Sequence, residues 1–217
     1  MSRWASVCVI ASLMIPGLAW SQDAQDGEAA SPQARPEQVV ETLHAGLLDI
    51  MKRSAELGLD GRREVIAGVV EETFDMRALA GSAIGVATWN QWNDEQKATY
   101  LETFQRFLVV NYAVQFDGFS GQSFETKAVD EGPRGTKLVK TWLVRPEKEP
   151  VELSYLIREK GGQFGIADVF AEGGSEAARR RSEFDVVYRA SGFDGLISSI
   201  ETRTADLLGD APAADAG

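Results

Sequence analysis

Residues 136–157, TKLVKTWLVRPEKEPVELSYLI, alternate apolar and polar side chains along two short runs. The first run extends from Thr136 to Val144 and the second from Val151 to Ile157. A period of two is typical of β-strands, because successive side chains point to opposite faces of a sheet. The short segment between the runs predicts an antiparallel pair joined by a tight connection.

The alternation assigns the side chains of these runs to faces. One face of the first run holds Leu138, Lys140, Trp142 and Val144. The opposite face holds Val139, Thr141 and Leu143. In the second run, the face formed by apolar and aromatic residues holds Val151, Leu153, Tyr155 and Ile157.

The strand pattern extends to both sides of this pair. It begins near Phe124, and Gly161-Gly162 supplies a turn into a further run from Phe164 to Val169. Glycine pairs are typical of tight hairpin turns. We therefore predict three or four antiparallel strands in sequence.

Helical spacing precedes and follows the strands. Asn93 with Gln96 resembles a capping box, and Asp60 and Asp75 are expected to begin two other helices. Behind Asn93 a stripe of large apolar residues recurs at steps of three and four: Leu101, Phe104, Leu108, Tyr112 and Phe116. After Gly173-Gly174 the helical period returns and continues to Gly209. Helices, an antiparallel meander and further helices predict an α+β fold.

The first 21 residues predict a cleavable export signal. Arg3 supplies a positive charge, residues 7–18 are largely apolar, and Ala19 and Ser21 are small residues at the positions that a signal peptidase reads. Cleavage is expected before Gln22. The apolar run is shorter than the ~20 residues that a membrane-spanning helix needs.

Composition divides the rest of the chain into three parts. Residues 22–36 and 209–217 are rich in Ala, Asp and Pro and lack large apolar side chains, which predicts a disordered leader and tail. Residues 37–208 between them predict a single domain, since a chain of this size can bury a sizeable core without disulfides or metal.

The content of charged and reactive residues excludes several classes of function. The net charge of −11 disfavours nucleic acid as a partner, because such a chain repels phosphate backbones. The only cysteine, Cys8, lies in the export signal, and the only histidine is His44. One histidine without cysteine cannot form an ordinary zinc site or a Cys-His pair, so we expect no metal or cofactor. We interpret His44 as structural, half-buried or at the surface.

Three sets of side chains remain as candidates for function. The aromatic residues on the long helix and the strands form either a filled core or the wall of a cavity, and periodicity does not distinguish the two. Asp168, with Tyr155, is a candidate acid–base pair inside such a cavity. The run Arg179-Arg180-Arg181 is either a solvated helix face or a contact for an anionic group.

Several motifs, in the same order, resemble the toluene-tolerance (MlaC) family of periplasmic lipid-binding proteins. They are Phe-Asp-Met-Arg at 74–77, the segment Trp89 to Trp92, the helix through Tyr112, Ile166-Ala-Asp-Val169 and Gly192-Phe-Asp-Gly-Leu-Ile197. The resemblance extends over about residues 36–208. Residues 116–121 and 175–184 are more similar to HpnM, a branch associated with hopanoids.

This resemblance implies a twisted sheet, similar in shape to nuclear transport factor 2, wrapped by helices around an apolar cavity. It implies a periplasmic shuttle that carries phospholipid or hopanoid between an outer-membrane lipid complex and an inner-membrane ABC transporter complex, with lipid as cargo and no catalysis. We expect the cavity lining to include Phe104, Leu108, Tyr112, Leu138, Trp142, Val144, Leu153 and Tyr155. Arg179, Arg180 and Arg181 are assigned to head-group or partner contact. The alternatives are a scaffold with a filled core, or a small hydrolase or isomerase using Asp168 and Tyr155.

Overall fold

The computed structural model describes residues 35–209. The predicted export signal, residues 22–34 of the predicted leader and residues 210–217 of the predicted tail lie outside the described residues. Pro36, predicted in the leader, begins the first helix, and Gly209, predicted in the tail, ends the last helix. The helices are α1 (Pro36–Lys52), α2 (Ser54–Thr73), α3 (Met76–Ile84), α4 (Val86–Trp89), α5 (Asp94–Gln115) and α6 (Glu176–Gly209). The strands are β1 (Ser123–Glu131), β2 (Lys137–Arg145), β3 (Lys148–Lys160), β4 (Gln163–Ala171) and β5 (Gly174–Ser175). The α+β class is confirmed.

The strands form one antiparallel sheet in the order β1-β2-β3-β4-β5, with each strand beside its neighbour in sequence. The sequence predicted three or four strands, and the additional strand, β5, is only two residues long. A run of two residues carries no periodicity, which explains why the sequence pattern did not reveal it.

The predicted capping box at the start of α5 is present. The Asn93 side chain accepts a hydrogen bond from the backbone N–H of Gln96 at 2.8 Å, and the Gln96 side chain accepts one from the N–H of Asn93 at 3.1 Å. These bonds satisfy backbone groups that a helix end otherwise leaves free. Helix α5 buries Tyr100, Phe104 and Phe107 in the core.

Asp60 does not cap a helix as predicted, although a helical segment does begin close to it. Helix α2 begins at Ser54 and bends at Gly58, whose φ of 59° is readily adopted only by glycine. Asp60 lies beyond this bend, and its carboxylate pairs with Arg63 at 2.9 Å rather than capping the helix. Asp60 therefore lies just after the bend within α2 and not at the first residue of that helix.

Asp75 does begin α3, as predicted, and it also joins this helix to the sheet. Its carboxylate accepts a hydrogen bond from the N–H of Ala78, and its own N–H donates to the carbonyl of Ile166 on β4. A Cβ on Gly165 would lie 2.8 Å from the Asp75 nitrogen, so only glycine fits at this crossing.

The sheet has an inner face, against the helices, and an outer face. Val139 pairs with Tyr155 and Thr141 with Leu153, and the side chains of Val139, Thr141 and Tyr155 are buried. Because side chains alternate, Leu138, Trp142 and Val144 lie on the outer face. Trp142 is 43% exposed, with Lys127 Nζ 4.4 Å from the centre of its ring.

Helix α6 closes the helical layer by packing on α3 and α5. It buries Phe184, Leu196 and Ile200, and it bends at Gly192, where φ is 68°. Within residues 35–209, no helix has both the length and the apolar character to cross a membrane.

Candidate functional site

A cavity of about 360 Å³ lies among α5, the inner face of β3 and β4, and the start of α6. Its size is within the roughly 300–1,000 Å³ range of small-molecule sites. The apolar part of its wall combines residues from six helices and strands and two connections: Leu47, Phe74, Leu79, Phe104, Phe107, Leu108, Tyr112, Val114, Phe116, Leu153, Tyr155, Val169, Ala171, Ala177 and Leu207. The polar part holds Asn111, Gln115, Glu176, Arg179 and Arg180.

The structure brings five of the eight predicted lining residues together on this wall: Phe104, Leu108, Tyr112, Leu153 and Tyr155. Leu138, Trp142 and Val144 do not line the cavity, because they are on the outer face of the sheet. Both faces of β2 carry large apolar side chains, so alternation alone could not identify the inner one. Thr141 is buried on the inner face, where its hydroxyl is satisfied by a hydrogen bond that it donates to the carbonyl of Leu153 at 3.1 Å.

A buried polar pair lies where the sheet meets α1. His44 Nε2 and Tyr155 Oη are 2.9 Å apart, and the imidazole stacks on Phe124 with the ring centres separated by 3.9 Å. His44 is 6% exposed, and burial lowers the pKa of its imidazole to about 3. The sequence expectation of a half-buried or surface imidazole is therefore wrong, and at neutral pH His44 is an uncharged part of the core.

Tyr112 is the second phenol of the cavity wall. Burial, and to a smaller extent the negative charge of Glu176, raise the pKa of the Tyr112 hydroxyl. Within residues 35–209 this hydroxyl has no hydrogen-bond partner, whereas that of Tyr155 is held by His44. Tyr112 thus remains a neutral donor beside the apolar wall.

Charged residues from the first turns of α6 form the polar part of the wall. Arg179 pairs with Glu176 at 2.5 Å and with Glu183 at 2.9 Å. The Arg180 side chain is 15% exposed, lies 4.7 Å from the centre of the Phe107 ring and pairs with Glu183 at 3.4 Å. Burial, together with the charge of Arg179, lowers the pKa of Arg180. This arrangement presents two guanidinium groups beside an apolar cavity.

Arg181 lies apart from Arg179 and Arg180. It lines a second groove whose lining shares only Ala177 with the cavity. Consecutive residues of an α-helix are about 100° apart around its axis, because a turn contains about 3.6 residues. The three arginines therefore cannot act as one group: Arg179 and Arg180 lie at the cavity, and Arg181 at the groove.

Asp168 does not face Tyr155 across the cavity. The pairing of β3 with β4 shifts register between Leu156 and Ile157, and Asp168 pairs with Leu156 in the lining of the second groove. The Asp168 carboxylate accepts hydrogen bonds from the N–H groups of Val169 at 2.8 Å and Ala177 at 3.1 Å. The two members of the predicted acid–base pair, Asp168 and Tyr155, therefore lie on opposite sides of the sheet.

The carboxylate of Asp168 also accepts a hydrogen bond from Ser175 Oγ at 2.6 Å, so it holds the start of α6 against β4. We expect Asp168→Ala to lower the free energy of unfolding by about 2–4 kcal/mol, because buried donors lose their acceptor. Urea unfolding measures this change. Asp117→Ala, an exposed carboxylate without a hydrogen bond in the described residues, is the control. Equal stability of the two variants would contradict the structural role.

Among residues 35–209, no group of three or more His, Cys, Asp or Glu side chains is arranged to hold a metal ion. The chemistry available in the cavity is apolar contact, hydrogen bonding by neutral phenols and contact with two guanidinium groups, both of which are ion-paired with glutamates.

Comparison with known proteins agrees with this architecture. A solved phospholipid-binding protein from Ralstonia solanacearum, in complex with a phospholipid, superposes with a TM-score of 0.71 at 19% identity. The match covers 81% of this chain and 99% of that one, and at this identity it shows a shared fold. No curated protein sequence matches significantly. The model of the MlaC protein family matches residues 41–202, and the chain therefore belongs to the MlaC family.

Proposed function

We propose that this protein is a lipid carrier that holds the tails of a phospholipid in the cavity between α5 and the sheet. The observation that carries the proposal is the apolar wall of that cavity, bordered by Arg179 and Arg180. The complex of the Ralstonia protein with a phospholipid supports it, since that protein shares this fold.

The energetics of lipid transfer fit a cavity of this kind. Each methylene taken out of water is worth about 0.8 kcal/mol, so one acyl chain in water costs on the order of 10 kcal/mol. Side chains such as Leu108, Leu153 and Val169 are half-buried and line the cavity, so they offer apolar surface to a tail. Binding of this kind needs no nucleophile and no metal.

The head group binds at the polar part of the wall. Guanidinium groups match the oxygen geometry of phosphate, and a partly desolvated arginine attracts an anion more strongly than an exposed one. Arg180 is the better candidate because its side chain is more buried than that of Arg179, and the Phe107 ring fixes its position.

The carrier acts in the periplasm, after export directed by residues 1–21. There it shuttles between an outer-membrane lipid complex and an inner-membrane ABC transporter complex. Release at either membrane requires a partner that binds the empty form better than the loaded form, because a ligand or partner shifts an equilibrium only by its differential affinity. A hopanoid is the alternative cargo, suggested by the similarity of residues 116–121 and 175–184 to HpnM.

Two other candidate functions, a scaffold and a hydrolase or isomerase, are less well supported. A scaffold predicts a filled core, whereas a cavity of about 360 Å³ is present. A hydrolase or isomerase using Asp168 and Tyr155 requires both groups in one cavity, and Asp168 instead lines the second groove and caps α6.

Transfer between vesicles tests the carrier function. We expect the protein to accelerate movement of a fluorescent phospholipid from donor to acceptor vesicles, in proportion to its concentration, since each molecule carries its own cargo. Donor vesicles containing a labelled hopanoid form the second arm. Acceleration of hopanoid alone would reassign the cargo, and acceleration of neither lipid would contradict the carrier function.

A further inference from the structure

The second groove, of about 770 Å³, is lined by α3, α4, the 3₁₀ turn Pro133–Gly135, the end of β3, the middle of β4 and the start of α6. Five exposed basic side chains line it: Arg77, Arg134, Arg158, Lys160 and Arg181. We call this surface the basic groove. Its charge is opposite in sign to that of the chain, which carries a net −11.

The acidic residues of the basic groove are fewer and partly engaged. They are Asp75, Glu159 and Asp168. Asp75 caps α3 and pairs with Arg158 at 3.3 Å, and the Asp168 carboxylate is bonded to backbone N–H groups of β4 and α6. Only Glu159 is left without such a role, so the groove presents net positive charge to a ligand.

The basic side chains of the groove lack the ion pairs that are common elsewhere on the surface. Within residues 35–209, Arg158 alone of the five has an acidic partner. Most basic side chains outside the groove are paired: Arg35, Arg53, Arg63, Arg106, Lys127, Lys137, Lys140, Arg179, Arg180, Arg189 and Arg203. Unpaired cations collected in one groove repel one another, and an anionic ligand would relieve that repulsion.

The backbone holds one of these cations in an uncommon conformation. Arg134 has φ of 55°, in the left-handed region that non-glycine residues rarely adopt. The turn around it is closed by a hydrogen bond from the Gly132 N–H to the Thr136 carbonyl at 2.8 Å and by one from Thr136 Oγ1 to the Pro133 carbonyl at 2.7 Å. Glu147 and Glu172, in two other connections between consecutive strands, also have positive φ, so this conformation belongs to the turn, which places Arg134 in the groove lining.

The helical side of the groove adds apolar surface between the charges. Arg77 lies 5.3 Å from the centre of the Trp89 ring, which also lines the groove. Val86 beside it is 68% exposed. A Cβ on Gly85 would lie 3.3 Å from Arg181 Cδ, so glycine allows Arg181 to cross the α3–α4 junction closely. Cations alternating with apolar side chains suit a ligand that carries both carboxylates and apolar groups.

We propose that the basic groove binds an acidic segment of a protein partner, with glutamate or aspartate side chains on the groove's arginines and apolar ones on Val86 and Trp89. Recognition of acidic motifs by arginine clusters is a recurring mode of peptide binding. A membrane surface fits less well, because the rest of this acidic chain would be repelled by anionic lipids. The surface is separate from the cavity and does not depend on the nature of the cargo.

The test uses the whole purified protein and a fluorescent peptide of alternating glutamate, serine and leucine. We expect binding that weakens with added salt. The double variant Arg134→Glu with Lys160→Glu should reduce affinity roughly tenfold or more, as expected when several favourable pairs become repulsive. The matched control is Lys52→Glu with Lys148→Glu, which changes the charge equally at exposed residues outside the groove that have no ion pair in the described residues. It should reduce affinity by much less.

Arg77→Glu with Arg181→Glu provides a second groove variant, and thermal unfolding checks that every variant is folded. Lipid retention by the Arg134/Lys160 variant should equal that of the wild type, which separates this proposal from the carrier function. Three outcomes would overturn the proposal: no peptide binding at low salt, equal loss in the groove and control variants, or binding of anionic vesicles in preference to the peptide.

Discussion

Leu153→Glu is expected to reduce lipid retention at least about tenfold, because it puts a carboxylate on the apolar wall that would contact a lipid tail. A carboxylate desolvated without a partner costs several kcal/mol, and a bound tail would impose that cost. Leu153 is half-buried on the inner face of β3, where water can hydrate the new carboxylate if the cavity is empty. Binding of a fluorescent phospholipid measures the effect.

The matched control is Leu138→Glu on β2. Leu138 is also half-buried in a strand but lies on the outer face, where it pairs with Leu156 of β3. Trp142→Glu, on the same outer face, should likewise retain lipid. Loss of retention in Leu138→Glu and Trp142→Glu with normal retention in Leu153→Glu would mean that the lipid binds on the other side of the sheet.

The second large effect concerns pH. Burial lowers the pKa of His44 from 6.5 to about 3, so between these values the unfolded chain takes up a proton that the folded chain does not. The stabilisation by neutral His44 is fully present above pH 6.5 and is lost as the pH falls towards 3. The whole loss is about 5 kcal/mol, since one pKa unit corresponds to about 1.4 kcal/mol.

His44→Gln isolates this effect, because His44 is the only histidine in the chain and glutamine does not titrate. Urea unfolding at neutral pH, and again midway between 6.5 and 3, gives the free energy of unfolding of both proteins. We expect the wild type to lose about 2 kcal/mol more than His44→Gln over this interval. Parallel pH profiles would contradict the burial of a neutral His44 against Tyr155.

Much of the fold could be predicted because the hydrophobic period changes at a definite place in the chain. Steps of three and four up to Phe116 and steps of two from Phe124 separate helices from strands without reference to tertiary contacts. The caps at Asp75 and Asn93 were predictable because they depend on nearby residues only. Such local signals determine the elements and their order.

The cavity was only partly predictable because it depends on which side of the sheet the helices cover. Leu108 and Tyr112 share a helical stripe with the buried Phe104, so their inward direction follows from sequence. On β2, Trp142 and Val139 are both apolar and alternate, and only the packing of helices on one side makes Val139 the inner residue. A pattern of period two identifies two faces without ranking them.

Register irregularities and helix geometry explain the remaining differences between the predictions from sequence and the structure. The shift between Leu156 and Ile157 puts Asp168 in the lining of the groove, and no sequence pattern marks it. Arg179 and Arg181 are close in sequence but diverge around the helix, so a run of like charges does not define one site.

The most direct test of the carrier account is mass spectrometry of organic extracts from the purified protein, produced in a host that contains both phospholipids and hopanoids. The account predicts a phospholipid in near-stoichiometric amount, because the cavity between α5 and the sheet shields its tails from water. A hopanoid at the same stoichiometry would keep the carrier function and change its cargo. A folded protein that is empty, and remains empty when offered either lipid, would contradict the account.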